Sequence, residues 1–277
     1  MIASLAWFPV ALVLTGQSPV PALTQRRPPP VDTLIDVGGQ RLNFRVWAGP
    51  GHVTVVFQAG GGCALSCWAT VPSLVAESGP VRVVAYERAG LGQSEVGPIT
   101  LTPEAELDQL DRGLDALGVG RIVLVGHSYG GLLSLVHAAR RPDRVAGLVL
   151  VDPMNPGFIE AMGLPWLKAT VPEVTDPKTP HDTVTYRMQQ TIGELFERGK
   201  TALPSRVPTI VITAGLPWFG LADADHAWRR SHEELARQAM PGELVVAERS
   251  KHDVPDSEPE LIVTVLRRML RQVPEGR

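Results

Sequence analysis

Only two cysteines occur in the 277-residue chain, Cys63 and Cys67 in "GGGCALSCW". Without further cysteines or a nearby histidine pair they cannot make a zinc site. Two readings stay open: a pair of small buried residues, or a disulfide if the protein is exported, since one helical turn brings two Cα atoms within bridging range. Excess charge is lacking as well. Lys and Arg number 26 against 29 Asp and Glu, a net −3, and no basic stripe with interleaved aromatics appears. Nucleic acid is therefore not an expected partner. There is no Walker glycine loop, no dinucleotide fingerprint after a strand and no solenoid repeat, so neither a metal nor an organic cofactor is implied.

Long apolar runs are also missing. The N-terminal "MIASLAWFPVALVLTGQSPVPALTQRRPPP" holds an apolar run of about a dozen residues, too short to span a bilayer and suited to a signal-peptide core. Val20-Pro21-Ala22 offers a small-residue cleavage pattern, whereas the absence of a preceding Lys or Arg and the interrupting Pro9 speak for an unprocessed tail. The expectation is export, periplasmic or secreted, with a cytoplasmic protein as the alternative and no stable membrane insertion. Residues 1–30 thus read as signal peptide and Pro-rich linker, and the folded domain begins near Val31.

What is present is an alternation. "VDTLIDV" and "RLNFRVW" flank Gly38-Gly39, a strong hairpin signal. Six short β-branched runs follow, at 53–58, 81–87, 121–126, 145–152, 208–215 and 242–248. They are apolar on both faces, as strands of a covered parallel sheet must be. Helical patterns at 67–77, 102–118, 128–141, 226–239 and 258–272 alternate with them. The expected fold is a doubly wound α/β domain, mostly parallel with antiparallel N-terminal strands. Residues 31–152 and 208–277 form its core. Residues 153–207 lack a strand signal, carry one helical pattern and exceed any ordinary loop, which predicts a small helical cap over the carboxyl edge of the sheet.

"GHSYG", Gly126 to Gly130, fits G-x-S-x-G. A bare match arises by chance in roughly one chain in ten of this length, so context decides. Here it follows "RIVLV" and opens "LLSLVHAARR", the strand, tight turn and helix that present a serine hydroxyl to a cleft. Ser128 is the candidate nucleophile; an N-cap serine is the plainer reading. Its base should be His252, after the last strand, with His127 pointing elsewhere, His226 and His232 on a solvated helix face, and His52, His137 and His181 without strand-end context. The acid expected between them is Asp152, closing "LVLVD"; Asp223 and Asp225 compete, and Asp253 reads as a local loop contact. Backbone N–H groups of Tyr129 and of Gly61, with Gly62 next, are the expected oxyanion donors.

"GHSYGG", the "YERAGLGQS" turn at 86–94, the glycine loop and the late His252 together resemble the α/β-hydrolase fold superfamily over about residues 31–272. Three departures stand out: Glu87 replaces the commoner Asp of that turn, Ala59-Gly60 replaces a His-Gly dipeptide, and Leu216-Pro217-Trp218 stands where an acid often follows the strand. Some members of the superfamily carry the acid after the preceding strand, which favours Asp152. The "YERAGLGQS" turn is expected to be structural.

Such a site performs acyl transfer, so the expected activity is hydrolysis of small ester-like substrates. Trp166, Phe158, Met154, Met162, Trp68 and Trp218-Phe219 either line an acyl pocket or form the cap's own core. Amide, lactone, thioester or carbon–carbon hydrolysis on the same machinery is the alternative, and a non-catalytic binding protein of the same fold is the other. Aspartate-nucleophile dehalogenases and epoxide hydrolases are disfavoured by Ser128.

Overall fold

The computed structural model describes residues 27–170, 173–202 and 207–273. The N-terminal segment expected to direct export lies outside them, apart from residues 27–30 of its linker.

Strands β1 (Val31–Asp36) and β2 (Arg41–Trp47) form the expected hairpin. Its turn needs positive φ at Gly38 and Gly39 (110° and 85°), and the Asp36 carboxylate accepts both glycine N–H groups. Then come β3 (Thr54–Gln58), β4 (Arg82–Tyr86), β5 (Ile122–His127), β6 (Val145–Val151), β7 (Thr209–Ala214) and β8 (Gly242–Ala247). They complete one eight-stranded sheet in the order β1-β2-β4-β3-β5-β6-β7-β8, parallel from β4 onward and antiparallel at β1–β2 and β2–β4. The chain leaves β3 for β4 on one side and returns to β5 on the other. Loops after β3 and β5 therefore diverge, opening the crevice that doubly wound sheets use for ligands.

Helices cover both faces. Within β5, Ile122 and Leu124 pack toward one cluster with α2 (Pro103–Ala116) and α3 (Tyr129–Arg140). Val123 and Val125 pack toward the other, with α1 (Val71–Glu77). Period-two alternation between two apolar faces explains why these strands read as continuous hydrophobic runs. The start of α2 is set locally: Thr102 accepts from the Ala105 N–H, Pro103 opens the helix and Glu104 and Glu106 fill its first turn.

Among the described residues of 153–207 there are three helices, α4 (Pro156–Met162), α5 (Leu164–Thr170) and α6 (Pro180–Thr201). The pattern at 182–199 predicts only the last; α4 and α5 have seven residues each, too few for a periodic signal. The chain ends in α7 (Ala222–Gln238), the short α8 (Val254–Ser257) and α9 (Pro259–Gln272), the last packing with α1 on the second face. The pattern at 67–77 divides into a 3-10 turn, Leu65–Trp68, and α1, because Ala69 takes a positive φ of 46°. Cys63 and Cys67 are joined as a disulfide, with Cα atoms 5.8 Å apart. Among the described residues no helix is long and apolar enough to cross a membrane.

Gly113 lies buried inside α2, and a Cβ there would fall within the ring of Phe44, itself fully buried and stacked on Tyr86 at 5.6 Å. Helix propensity favours alanine by about 1 kcal/mol, while overpacking a confined aromatic costs about 1–3 kcal/mol. Gly113→Ala should therefore destabilise the protein in urea denaturation despite the better helix former.

Candidate functional site

At the carboxyl end of β5 the chain turns into α3 within one residue. Ser128 sits at that corner with φ 53° and ψ −123°, a conformation that side chains adopt only under constraint. The constraint comes from neighbouring backbone: its N–H donates to the Val151 carbonyl, and its own carbonyl accepts from Gly131 and Met154. The flanking glycines are required by contact. A Cβ at Gly126 would lie 2.5 Å from the Gly130 carbonyl and Ser134 Oγ, and one at Gly130 would collide with the Gln58 and Ala59 carbonyls of the β3 loop.

His252 follows β8 on a loop that returns to this corner. Its Nε2 lies 3.0 Å from Ser128 Oγ and its Nδ1 2.7 Å from Asp152 Oδ2. An ionised carboxylate only accepts, so Nδ1 carries the hydrogen and Nε2 presents its lone pair to the serine hydroxyl. Asp152 closes β6 at φ 41°, fully buried, with its N–H donating to the Ile212 carbonyl. Its other oxygen accepts from the Ala214 N–H at 2.8 Å and Trp228 Nε1 at 3.0 Å. Burial is the largest single influence and by itself pushes the carboxyl pKa up. The hydrogen bond from His252, the nearby His232 and His252 and the Ala214 N–H together outweigh it, so the carboxyl is held below its ordinary value.

The structure thus brings Ser128, His252 and Asp152 together, as the sequence expects. The competing acids are elsewhere. Asp223 is exposed in the first turn of α7, and Asp225 accepts the Trp218 and Phe219 N–H groups, shaping the loop before α7. Asp253 is exposed on the loop. Gly61 and Tyr129 face one another across the crevice, their Cβ positions 3.5 Å apart if Gly61 had one, and Gly60 would come 3.4 Å from Ser128 Cβ. Tyr129 opens α3, so its N–H is one of the orphan donors of a first helical turn.

One histidine differs from expectation and another has an added contact. His232 is not solvated: it is fully buried, with Nε2 donating to the Pro153 carbonyl and Nδ1 accepting from the Thr213 hydroxyl, 3.7 Å from Asp152. Its face of α7 packs on β7, and short amphipathic spacing does not say which face is covered. His127 turns away from Ser128 but not from the site. Its Nε2 donates to the His252 carbonyl at 2.9 Å, and the two rings lie 4.7 Å apart. The opposite face of His252 stacks on Trp218 at 4.3 Å.

Phe158 and Trp166 of the segment 153–207 pack on one another. Phe158 is buried against Trp166, Phe219 and Trp228, tying α4 and α5 to the start of α7. Trp68 is buried beneath Phe57. A small apolar cavity instead lies between Met154, Leu167, Met188 and Ile192. Met188 reaches the glycine loop after β3, filling the space where a Gly61 side chain would stand. No local signal distinguished Met188 from the other apolar residues of α6. Among the described residues no cluster of three or more His, Cys, Asp or Glu could hold a metal ion.

Burial above all, then the charge of His252, pushes the His127 pKa down from its ordinary 6.5 to about 4. The unfolded chain therefore takes up a proton below about pH 6.5 that the folded chain refuses until about pH 4. Its contribution to stability is present above that window and is lost as pH falls through it, by up to about 3 kcal/mol. His127→Gln, which keeps a donor toward the His252 carbonyl, should show a smaller loss of unfolding free energy between pH 7 and pH 4.5 in paired urea titrations. Equal losses in both proteins would contradict this.

Comparison with known proteins places this architecture. The model of the alpha/beta hydrolase family matches residues 55–265. The curated protein YqjL of Bacillus subtilis (strain 168) is 26% identical over 223 residues, covering 77% of this chain and 82% of that protein. The 2-hydroxy-6-oxo-2,4-heptadienoate hydrolase of Pseudomonas putida is 33% identical over 169 residues, 60% of this chain and 60% of that one. A thermophilic esterase from Thermogutta terrifontis, solved with malate bound, superposes with a TM-score of 0.65 at 25% identity, over 88% of this chain and 98% of that chain. With a family match that runs from inside β3 to inside α9 and takes in the serine corner, Asp152 and His252, the chain belongs to the alpha/beta hydrolase family.

Proposed function

We propose that the protein is a serine hydrolase of carboxylic esters that works through an acyl-serine. The observation carrying this reading is the unbroken hydrogen-bonded chain from Ser128 Oγ through His252 to the buried Asp152. In this reading His252 Nε2 takes the Ser128 proton as Oγ attacks the ester carbonyl, and Asp152 stabilises the imidazolium. The oxyanion of the tetrahedral intermediate accepts hydrogen bonds from the Gly61 and Tyr129 amides. Collapse breaks the bond to the alkoxy oxygen, which leaves with the proton from His252. Water then repeats the sequence on the acyl-serine, releasing the acid.

Helices α4 to α6 act here as the cap, and Met188 of α6, which stands against the Gly61 position, borders the acyl group. The T. terrifontis esterase supports the ester reading. The P. putida relative favours a second one, in which a 2-hydroxy-6-oxo-dienoate is the substrate of the same serine. Export belongs to the proposal as well: it rests on the N-terminal apolar run and on the Cys63–Cys67 bond, since such bonds persist in oxidising compartments.

Purified protein should hydrolyse p-nitrophenyl butyrate and take one fluorophosphonate adduct on Ser128 by mass spectrometry. Ser128→Ala should lose both, and Asp152→Asn should lower kcat on the order of 10⁴-fold through the wrong histidine tautomer. A folded protein with neither turnover nor adduct refutes the reading; turnover of oxo-dienoates but not esters selects the second. Activity should also fall in acid, because only a neutral imidazole accepts the Ser128 proton and the buried Asp152 carboxylate must stay ionised. A flat rate profile from acid to alkaline pH would exclude His252 as the base.

A further inference from the structure

Arg88 belongs to the "YERAGLGQS" turn after β4, to which the ester mechanism assigns nothing. Its side chain is only 4% exposed, and its two terminal nitrogens donate to the Ala59 and Gly60 carbonyls, each at 2.6 Å. These are the peptides that lead into Gly61. The Gly60–Gly61 bond is trans, and in a planar trans peptide the C=O and N–H point to opposite sides. A guanidinium holding the Gly60 oxygen from below therefore turns the Gly61 N–H the other way, toward the side on which Ser128 and Tyr129 lie. The same guanidinium sits 5.3 Å over the Tyr129 ring, and the Tyr129 hydroxyl donates to Glu106, whose carboxylate is 4.0 Å from Arg88 Nε.

We infer that Arg88 is a positioning residue for the oxyanion hole, clamping the Gly61 amide through its peptide carbonyls and the Tyr129 side through its ring. The inference rests on the ester-hydrolase reading above. The glycines explain why such a clamp is needed. Gly60, Gly61 and Gly62 leave the loop free of side chains of its own, and within it the Gly60 carbonyl accepts from the Cys63 N–H at a long 3.3 Å, a hold that the two short bonds from Arg88 reinforce. A planar fork with two donors fixes two successive carbonyls at once, which a single ammonium cannot. Glu106 supplies the compensating charge inside the protein, and Arg187 of α6 secures the same turn by donating to the Ala89 and Gly97 carbonyls.

The test compares wild type with Arg88→Lys and with Arg88→Met/Glu106→Gln, which removes cation and carboxylate together while Arg187, the other cation near Glu106, keeps its backbone carbonyl acceptors. Each is assayed for p-nitrophenyl butyrate turnover. Each is also assayed for inhibition by an alkyl trifluoromethyl ketone, which adds to the serine and forms an oxyanion. Binding of the matching secondary alcohol, which cannot form one, is measured alongside.

The expected result is a fall of about 10²–10³-fold in kcat and a parallel loss of ketone affinity for the double variant. KM and alcohol affinity should stay within about threefold, and Arg88→Lys should recover part of the loss by holding one carbonyl. If the double variant does not fold, Arg88→Lys carries the test alone, expected about tenfold down in kcat with KM unchanged. Unchanged kcat in the folded variants overturns the inference while wild-type turnover leaves the ester reading standing. So does an equal loss of ketone and alcohol binding, which a merely structural staple would produce. Wild type without turnover or Ser128 adduct removes both.

Discussion

A carboxylate shut away from water organises the catalytic end of this molecule. Asp152 has no exposed surface, and an isolated buried carboxylate would cost several kcal/mol or neutralise itself. It is kept ionised by donors from three separate places: the Ala214 N–H at the end of β7, Trp228 on α7 and His252 after β8. Each donor is useful only if its own element is correctly placed. The charge therefore couples β6, β7, α7 and the returning loop into one unit, and His252 becomes oriented as a by-product of satisfying Asp152. Trp218 and His127 close on the two faces of the imidazole and leave its Nε2 aimed at Ser128.

The second constraint is steric. Left-handed geometry at Ser128 is tolerated because Val151, Met154 and Gly131 hold its backbone groups, and because Gly126 and Gly130 let β5, α3 and the β3 loop approach to contact distance. Those three pieces meet at the switch point of the sheet, where β3 has β4 on one side and β5 on the other. The serine hydroxyl and the glycine amides are neighbours for this topological reason, although about 66 residues of chain separate them.

The helices inserted between β6 and β7 join the core through aromatic packing and through Arg187. Phe158 and Trp166 read from the sequence equally well as pocket lining or as cap core; they pack on Phe219 and Trp228, and so serve at least to hold the insertion on the start of α7. Met154 donates its backbone N–H to the Ser128 carbonyl, and the Met188 side chain stands against the Gly61 position.

Local patterns in the chain were enough for the hairpin at Gly38-Gly39, for the six doubly apolar strands, for the cap of α2 at Thr102 and for the strand-turn-helix around Ser128, because each depends on residues close in sequence. The order of serine, acid and histidine along the chain was legible for the same reason: all three stand at strand ends. Choosing Asp152 over Asp223 and Asp225 by geometry required the tertiary structure, since which carboxylate meets His252 depends on how β7 and α7 pack, not on spacing. The burial of His232, the contact of His127 with the His252 carbonyl, the reach of Met188 and the fork of Arg88 onto the glycine loop were likewise decided only in three dimensions. Periodicity says that a residue lies on an apolar or polar face; which distant backbone closes over that face is set by the packing of the whole sheet.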